Sequence, residues 1–342
     1  MNQYQQYIAL SRYARWIPEL NRRETWEETV DRYMVNVVSD KVSKPTYNSI
    51  RASIINLSVM PSMRAMMTAG PAMERDNTCA YNCAYLVIDD PKAFDEAMFI
   101  LLCGTGVGFS VERQYISKLP EVPETLFQSD TTIVVSDSKE GWAKAFRQLI
   151  SLLYAGEVPK WDVSKIRPAG AKLKTFGGRA SGPAPLEDLF RFTCETFESA
   201  KGKKLSSIQA HDLACKVGEV VVVGGVRRSA MISLSNLSDD RMRHAKSGDW
   251  YVLNPQRALA NNSVAYTEKP DVETFLREWT SLVESKSGER GIFSRVAAKK
   301  QVARNGRRDP EHEWGCNPCS EILLRPNQFC NLTEVVARHD DT

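Results

Sequence analysis

Residues 83–114, CAYLVIDDPKAFDEAMFILLCGTGVGFSVERQ, contain the pattern that decides the fold. The run CAYLVID (83–89) predicts a strand, whereas AFDEAMFILL (93–102) has the apolar spacing of a helix. Strand character returns in GFSVERQ (108–114). A strand, a helix and a second strand in this order favour parallel pairing, so this stretch predicts an α/β fold.

The same alternation continues on both sides of this stretch. TTIVVSD (131–137) predicts a strand whose last residue, Asp137, can cap the helix EGWAKAFRQLISLLYAG (140–156). Residues 271–286 carry apolar side chains at helical spacing. The amino-terminal region reads as helical, and its TWEE segment (25–28) fits a capping box.

Composition and charge restrict the class of protein. The 342 residues carry 45 basic and 42 acidic side chains, a net charge of +3, which is too balanced to indicate a nucleic-acid-binding protein. The amino terminus lacks the apolar region of a secretion signal, and no apolar stretch reaches the ~18 residues of a membrane span. We therefore expect a soluble, cytoplasmic protein whose partners include neither nucleic acid nor a membrane.

The cysteines allow two interpretations. Eight in a chain of this length do not indicate a disulfide scaffold, so we expect free thiols. CAYNC (79–83) and CNPC (316–319) could together offer four thiolates to a structural zinc ion. A zinc site would not need Asn317 and Glu321, which crowd the second cluster. We predict no metal site, but the zinc module stays open as an alternative.

The glycine-rich stretch CGTGVGFSVE (103–112) does not fit a dinucleotide-binding loop. Its glycines are not in the Gly-x-Gly-x-x-Gly order, and a strand rather than a helix follows them. A tight turn, in which the backbone closely approaches another group, explains them better. The four histidines are scattered and match neither a metal site nor a catalytic triad.

NPCSE (317–321) places an amide, a thiol and a carboxylate at alternate positions. In an extended chain, Asn317, Cys319 and Glu321 would point to one side. Negative charge nearby raises a thiol pKa, so Cys319 is a poor thiolate nucleophile and is better suited to losing a hydrogen atom. The carboxylate could then take a proton from a substrate hydroxyl while the amide orients a second hydroxyl.

With FCNLTEV (329–335), this segment resembles the active-site finger of a ribonucleotide reductase large chain. The eleven-residue interval from Cys319 to Cys330 is similar to that of the monomeric, adenosylcobalamin-dependent (class II) ribonucleoside-triphosphate reductases. Other stretches match in order: PSMRAMMTAGP (61–71), Asn82-Cys83, CGTGVGFSVE (103–112), IRPAGAKLKTFGGRASGPAPLEDLF (166–190), GGVRRSA (224–230) and RALANNSVAY (257–266). The resemblance spans nearly the whole chain.

The resemblance implies specific catalytic roles. Cys319 would become the thiyl radical that removes the ribose 3′-hydrogen, Glu321 would be the base at the 3′-hydroxyl, and Asn317 would bind the sugar hydroxyls. Cys83 and Cys330 would be the dithiol that reduces the 2′ carbon and forms a disulfide in each turnover. Cys83 matches the family context, Asn-Cys before an apolar strand, better than Cys79 does.

The resemblance also implies two nucleotide sites. The positions that match substrate-binding residues are Ser62, Asn82, Gly104 and Gly106. The positions that match the effector site and its link to substrate choice are Asp137, Ser138, Lys139, Gly225, Arg227 and Arg228.

The implied fold is α/β, half of a ten-stranded α/β barrel like that of ribonucleotide reductases. We expect an amino-terminal helical region over residues 1–60 and a first half-barrel with the radical-cysteine finger over 61–330. Within it, an inserted segment at about 120–173 would build the effector site. Residues 331–342 would be a truncated end. Because family members are much longer, we expect an incomplete, split or truncated reductase that is inactive alone.

The implied reaction is thiyl-radical reduction of ribonucleotides to 2′-deoxyribonucleotides with adenosylcobalamin, most of whose site would lie outside this chain. The implied partners are a ribonucleoside di- or triphosphate substrate, a deoxynucleotide effector, a thioredoxin-like reductant and a complementary second-half chain. Besides the zinc-stabilised structural module, a non-catalytic, nucleotide-binding regulatory remnant stays open as an alternative.

Overall fold

The chain folds into two compact units. The computed structural model describes residues 1–172, 179–223 and 230–339. The smaller unit comprises Met1–Asn82 and Cys330–Thr342, and the larger comprises Cys83–Phe329. The division falls at residue 82, whereas the sequence analysis ends the amino-terminal region at residue 60. None of the described helices is both long and apolar enough to cross a membrane.

Strands and helices are numbered here in chain order. The strands are β1 Trp16–Ile17, β2 Arg22–Arg23, β3 Val59–Pro61, β4 Cys83–Val87, β5 Gly106–Ser110, β6 Phe127–Val134, β7 Glu157–Asp162, β8 Met231–Asn236, β9 Ala260–Tyr266, β10 Gly291–Ser294, β11 Gly315–Cys316, β12 Leu323–Leu324, β13 Gln328–Cys330 and β14 Thr333–Val335. The α-helices are α1 Gln3–Ile8, α2 Trp26–Tyr33, α3 Lys44–Ile55, α4 Met63–Thr68, α5 Pro71–Arg75, α6 Lys92–Leu102, α7 Arg113–Ile116, α8 Lys139–Tyr154, α9 Ala184–Ser199, α10 Ser207–Val223, α11 Asp240–Arg243, α12 Trp250–Leu253, α13 Val272–Ser285 and α14 Arg295–Asn305. Short π-helical segments cover Ala9–Tyr13 and Met34–Val38, and 3₁₀ segments cover Pro18–Leu20, Asn77–Ala80 and Pro255–Leu259.

A parallel sheet forms the centre of the larger unit. Strands β4, β5, β8, β9 and β10 lie side by side in that order, and each neighbouring pair is parallel. Strand β13 follows β4 in the sheet order. Strand β5 is buried along its whole length, as is usual for a strand within a parallel sheet. Because α6 connects β4 to β5, the predicted strand–helix–strand unit and the α/β class are confirmed.

The second strand of that unit is shorter than predicted. The expected strand over 108–114 ends at Ser110, and α7 begins at Arg113. Between them the chain turns, because the Ser110 hydroxyl accepts a hydrogen bond from the Glu112 N–H at 3.2 Å and donates one to the Glu112 carboxylate at 2.8 Å. The carboxylate of Glu112 is thereby held inside the unit, where it is fully buried.

Helix α8 lies beside a small parallel sheet made of β6 and β7. The apolar face predicted for residues 140–156 is buried, since Phe146, Leu149 and Leu153 all belong to the core of the larger unit. Phe146 stacks on Phe190 of α9 with ring centroids 6.3 Å apart.

The predicted cap of α8 is wrong by one residue. Ser138 is the N-cap, since its Oγ accepts a hydrogen bond from the Gly141 N–H at 2.9 Å. Asp137 lies one position too early to reach that N–H, and its carboxylate pairs with Arg167 at 2.8 Å instead.

Helix α13 confirms the helix predicted over 271–286, but its apolar side chains are not buried. Five of them form an exposed surface that we call the α13 stripe: Val272, Phe275, Leu276, Trp279 and Val283. The helix is held from its other side by Glu278, whose buried carboxylate pairs with Arg243 and Arg290. Helical spacing therefore predicts the helix correctly but not the direction in which its apolar face points.

The smaller unit has its own core, built around Val30, Met34, Ile54 and Met66. The predicted capping box at residues 25–28 is confirmed at the start of α2. Strands β3 and β14 pair in antiparallel fashion, which joins the two segments of this unit.

Candidate active site

The NPCSE segment forms the turn of a β-hairpin. Strands β11 and β12 pair in antiparallel fashion on either side of it. The Asn317 N–H donates to the Ile322 carbonyl at 3.2 Å, and the Ser320 N–H donates to the Asn317 carbonyl at 2.9 Å. Ser320 has a positive φ of 72°, which closes the turn. The segment is therefore not extended, and the alternation expected for its side chains gives way to a turn.

One buried amide connects the polar side chains of this turn. Asn317 is 1% exposed, and its Nδ2 donates to the Glu321 Oε1 at 2.8 Å. The same Nδ2 lies 3.9 Å from the Cys83 Sγ, at the start of β4. The Asn317 Oδ1 accepts a hydrogen bond from the Ile322 N–H at 3.0 Å. Three of the predicted catalytic residues are thus brought together by the side chain of Asn317.

Cys319 lies at the tip of the hairpin and is exposed. Glu321 is exposed as well, whereas Cys83 is half-buried. The sequence predicts a Cys319 thiol that stays protonated beside a carboxylate, and this prediction does not require burial. Its surroundings in the structure leave it accessible to a group that approaches from outside the chain.

The hairpin packs closely against two glycines of β5. A Cβ atom on Gly108 would lie 2.0 Å from the Cys316 carbonyl oxygen, and one on Gly106 would lie 3.0 Å from the Pro318 Cγ. Contacts under 3.0 Å essentially never occur for real Cβ atoms, so position 108 needs a glycine. The close backbone approach predicted for this glycine-rich stretch is therefore confirmed, and the approaching group is the hairpin, but Gly106 and Gly108 lie in strand β5 rather than in a tight turn.

Sequence reasoning missed the residues at the base of the hairpin. The buried Arg295 guanidinium bonds the Glu112 carboxylate at 2.9 and 2.8 Å and donates to the Trp314 carbonyl at 2.9 Å. Gly315 lies on the ring of Tyr85, because a Cβ there would be 2.0 Å from the Tyr85 Cζ. One signal was available in the sequence, since Glu112 is the last residue of the CGTGVGFSVE stretch.

Cys316, in β11, differs from Cys319 in its environment. It is fully buried, and this burial raises the pKa of its thiol to about 11. The two thiols of the CNPC segment are therefore inequivalent, one inside the protein and one at its surface. Among the described residues, no group of three or more His, Cys, Asp or Glu side chains could hold a metal ion.

In the smaller unit, two predicted substrate-binding residues are in direct contact. The Ser62 hydroxyl donates to the Asn82 Oδ1 at 2.7 Å, and it also caps α4 by accepting from the Ala65 N–H at 3.3 Å. The Asn82 N–H donates to the Cys330 carbonyl at 3.1 Å. Cys330 belongs to this unit and Cys83 to the other, so the dithiol formed by these two cysteines stays a prediction.

The predicted effector residues that the structure describes lie around the start of α8. Asp137 pairs with Arg167, and Ser138 caps the helix. The Lys139 Nζ lies 3.0 Å from the Cys103 Sγ. Gly225, Arg227 and Arg228 lie outside the described residues. The predicted effector and substrate roles, including that of Gly104, stay predictions.

Comparisons with known proteins point to one family. The family model described as the insertion domain of B12-dependent ribonucleotide reductase matches residues 119–195, where the sequence analysis sets an inserted segment at about 120–173. The adenosylcobalamin-dependent ribonucleoside-triphosphate reductase of Lacticaseibacillus paracasei is 28% identical, over 94% of this chain and 53% of that protein. The corresponding enzyme of Lactobacillus leichmannii is 29% identical with the same coverage. A crystal structure of a B12-dependent (class II) ribonucleotide reductase matches with a TM-score of 0.78 and 26% identity, over 96% of this chain and 55% of that chain.

The fold of the chain is thus similar to that of a class II ribonucleotide reductase. Within that class, the curated relatives that the chain matches are adenosylcobalamin-dependent ribonucleoside-triphosphate reductases, so the resemblance drawn from the motifs is confirmed. The chain spans about half the length of these relatives.

Proposed function

We propose that this chain is the part of an adenosylcobalamin-dependent ribonucleotide reductase that carries the radical cysteine. Its five parallel strands would form one half of the ten-stranded barrel, and a complementary polypeptide would supply the other half. On this proposal the chain alone does not turn over. Once complemented, it reduces ribonucleotides to 2′-deoxyribonucleotides.

The observation that carries the proposal is the hydrogen bonding of Asn317 at the hairpin turn. Its amide holds the Glu321 carboxylate at 2.8 Å and approaches the Cys83 thiol at 3.9 Å. A radical thiol, a base and a reducing thiol must all face one sugar ring, and this amide joins the base to the reducing thiol beside Cys319. A structural zinc module would use the cysteines without needing the bond between Asn317 and Glu321.

In the proposed reaction, the Cys319 sulfur removes the 3′-hydrogen of the ribose. Glu321 accepts the proton of the 3′-hydroxyl, and the Asn317 amide orients the sugar hydroxyls. Cys83 and Cys330 supply two electrons and two protons, of which one proton leaves with the 2′-hydroxyl as water and the other ends on the 2′ carbon, and the two cysteines become a disulfide. Glu321 returns its proton to the 3′ oxygen, and the Cys319 thiol returns the hydrogen atom to the 3′ carbon. A thioredoxin-like dithiol then reduces that disulfide. Ser62, Asn82 and the backbone at Gly104 and Gly106 would hold the substrate.

The exposed Cys319 fits a radical source that lies mostly outside this chain. Adenosylcobalamin, when bound, supplies the radical that takes the hydrogen atom from this thiol. The segment that precedes and includes α8 would bind a deoxynucleotide effector through Asp137, Ser138 and Lys139. Gly225, Arg227 and Arg228 would transmit effector binding to substrate choice.

Complementation tests this proposal. The chain is combined with the part of the Lactobacillus leichmannii reductase that it does not cover, together with adenosylcobalamin, a ribonucleoside triphosphate and a dithiol. We expect 2′-deoxynucleotide to form and Cys319→Ser to abolish it without weakening nucleotide binding. Cys194→Ser, which removes a half-buried thiol of α9, serves as the matched control and should retain activity. Nucleotide binding with no reduction in any mixture would instead favour a regulatory, non-catalytic protein.

A further inference from the structure

A buried ion pair lies at the base of the hairpin. Arg295, the first residue of α14, is 2% exposed, and Glu112, just after β5, is fully buried. Two parallel hydrogen bonds of 2.9 and 2.8 Å join the guanidinium to the two carboxylate oxygens. This forked geometry is the strongest and most directional form of an ion pair. The pair therefore fixes the start of α14 against the end of β5.

The same guanidinium also binds the chain that enters the hairpin. The Arg295 Nε donates to the Trp314 carbonyl at 2.9 Å, one residue before β11. Trp314 is fully buried, and the guanidinium of Arg308 lies over its ring at 4.1 Å from the centroid. Arg308 also donates to the Leu323 carbonyl in β12 at 2.6 Å. Both strands of the hairpin are thus held at their base by arginines.

The charges of the pair are compatible with this role. Burial would raise the pKa of the Glu112 carboxyl, but the hydrogen bonds and the charge of Arg295 outweigh burial and lower it. The pKa of Arg295 is raised, because the bonds to Glu112 outweigh its desolvation. The Ser110 hydroxyl and the Gln114 amide donate to the remaining acceptor positions of the carboxylate at 2.8 and 3.0 Å. Both groups are therefore charged at neutral pH, and the Glu112 carboxylate accepts four hydrogen bonds.

We propose that Arg295 and Glu112 are positioning residues that hold the hairpin, and with it Cys319, at a fixed place above β4 and β5. Neither residue lies at the turn itself: Arg295 acts through the Trp314 carbonyl, and Glu112 acts by holding the Arg295 guanidinium. The inference rests on the proposed function for its catalytic meaning, but the anchoring of the hairpin is measurable without catalysis. A lysine at position 295 can pair with Glu112, yet it cannot reproduce the fork and the bond to Trp314 together.

Two buried cysteines allow the anchor to be tested on the intact chain. Cys316 lies in the hairpin, whereas Cys215 lies in α10, and both are fully buried. Each reacts with iodoacetamide only when its surroundings open, and peptide mass mapping separates the two rates. For Arg295→Lys we expect alkylation of Cys316 to rise about tenfold or more, which corresponds to about 1.4 kcal/mol, because loss of buried hydrogen bonds favours opening of the hairpin. Alkylation of Cys215 should stay within about twofold of the wild type, since no bond near it changes.

Glu278→Gln is the matched control, because it removes a buried carboxylate that binds two arginines outside the hairpin. It should leave the ratio of the Cys316 and Cys215 rates unchanged. Equal acceleration of both cysteines in Arg295→Lys, or acceleration of neither, would overturn the proposal. If Arg295→Lys does not fold, the ratio of the Cys316 and Cys215 alkylation rates is measured in Glu112→Gln instead.

In the complemented enzyme, Arg295→Lys should lower kcat with little change in KM. A change in KM alone would also count against the proposed positioning role. If the complemented wild-type chain forms no 2′-deoxynucleotide, the proposed function is refuted, but the alkylation rates still test whether Arg295 anchors the hairpin.

Discussion

At the scale of single residues, the identities of the polar groups were accessible from sequence, but their geometry was not. Asn317, Cys319 and Glu321 are spaced for one side of an extended chain, and that alternation predicted their proximity. In the structure, a turn brings the Asn317 amide to the Glu321 carboxylate. This turn depends on the left-handed backbone of Ser320 and on the burial of Asn317. Neither property follows from local spacing, because serine rarely adopts that conformation without tertiary support.

Glu112 should give the chain a defined sensitivity to acid. Because its pKa is lowered in the folded chain, it contributes stability that is complete above the ordinary glutamate pKa of about 4.3. That contribution is lost as the pH falls through the lowered, folded-state pKa. Glu112→Gln leaves the buried Arg295 with only the partly exposed Glu313 carboxylate, 3.4 Å from its Nη1, as a counter-charge, and should cost roughly 3 kcal/mol of unfolding free energy at pH 7.

The measurement compares the urea midpoints of wild type and Glu112→Gln from pH 7 down to pH 3. We expect the gap between the two midpoints to narrow at acid pH, since the wild type loses the Arg295–Glu112 pair there and the variant lacks that pair at every pH. Glu28→Gln, at an exposed pair with Arg22, is the control and should show a much smaller gap at pH 7. A gap for Glu112→Gln that does not change with pH would contradict the account.

At the scale of elements, the sequence predicted where helices and strands lie better than what they pack against. The strand–helix–strand unit, the buried face of α8 and the helix over 271–286 are all present, because apolar periodicity encodes them locally. The cap of α8 and the end of β5 differ by a few residues, since both are decided by single side-chain hydrogen bonds. The packing of the hairpin against Gly106 and Gly108 could not be predicted from local sequence, because β5 and the hairpin are far apart along the chain.

Gly108→Ala tests the close packing of the hairpin against β5. The added methyl would meet the Cys316 carbonyl at 2.0 Å, and this overlap should cost about 3 kcal/mol or more of unfolding free energy. Gly306→Ala is the control, since position 306 has open space and a φ of +62°, so that only backbone strain of about 1–2 kcal/mol is added. Urea denaturation of both variants checks the difference. Equal losses would mean that the close approach at Gly108 does not matter.

At the scale of the whole molecule, the order of motifs along the chain was the most informative signal. It identified the family that the comparisons support, although no single motif would have been sufficient. The α13 stripe is the feature that local reasoning could not place, because helical spacing is the same for a face that points inward or outward. Trp279 is 53% exposed within it. Exposed apolar surfaces of this kind commonly mark association sites.

The α13 stripe should make the isolated chain associate. We expect sedimentation velocity to show concentration-dependent oligomers for the wild type and a shift towards monomer for Trp279→Glu combined with Leu276→Gln. Tyr4→Glu changes an exposed aromatic residue in the smaller unit and is the control, with no expected effect. Association that persists unchanged in the α13 double variant would show that another surface is responsible.

The rate of 2′-deoxynucleotide formation by the complemented chain shows whether Cys319 is the radical thiol. We expect measurable product with the wild-type chain and with Cys194→Ser, and none above background with Cys319→Ser, although nucleotide still binds. Product formation by the Cys319→Ser chain at the wild-type rate would contradict this role, because no other thiol occupies the tip of the hairpin turn that Asn317 organises.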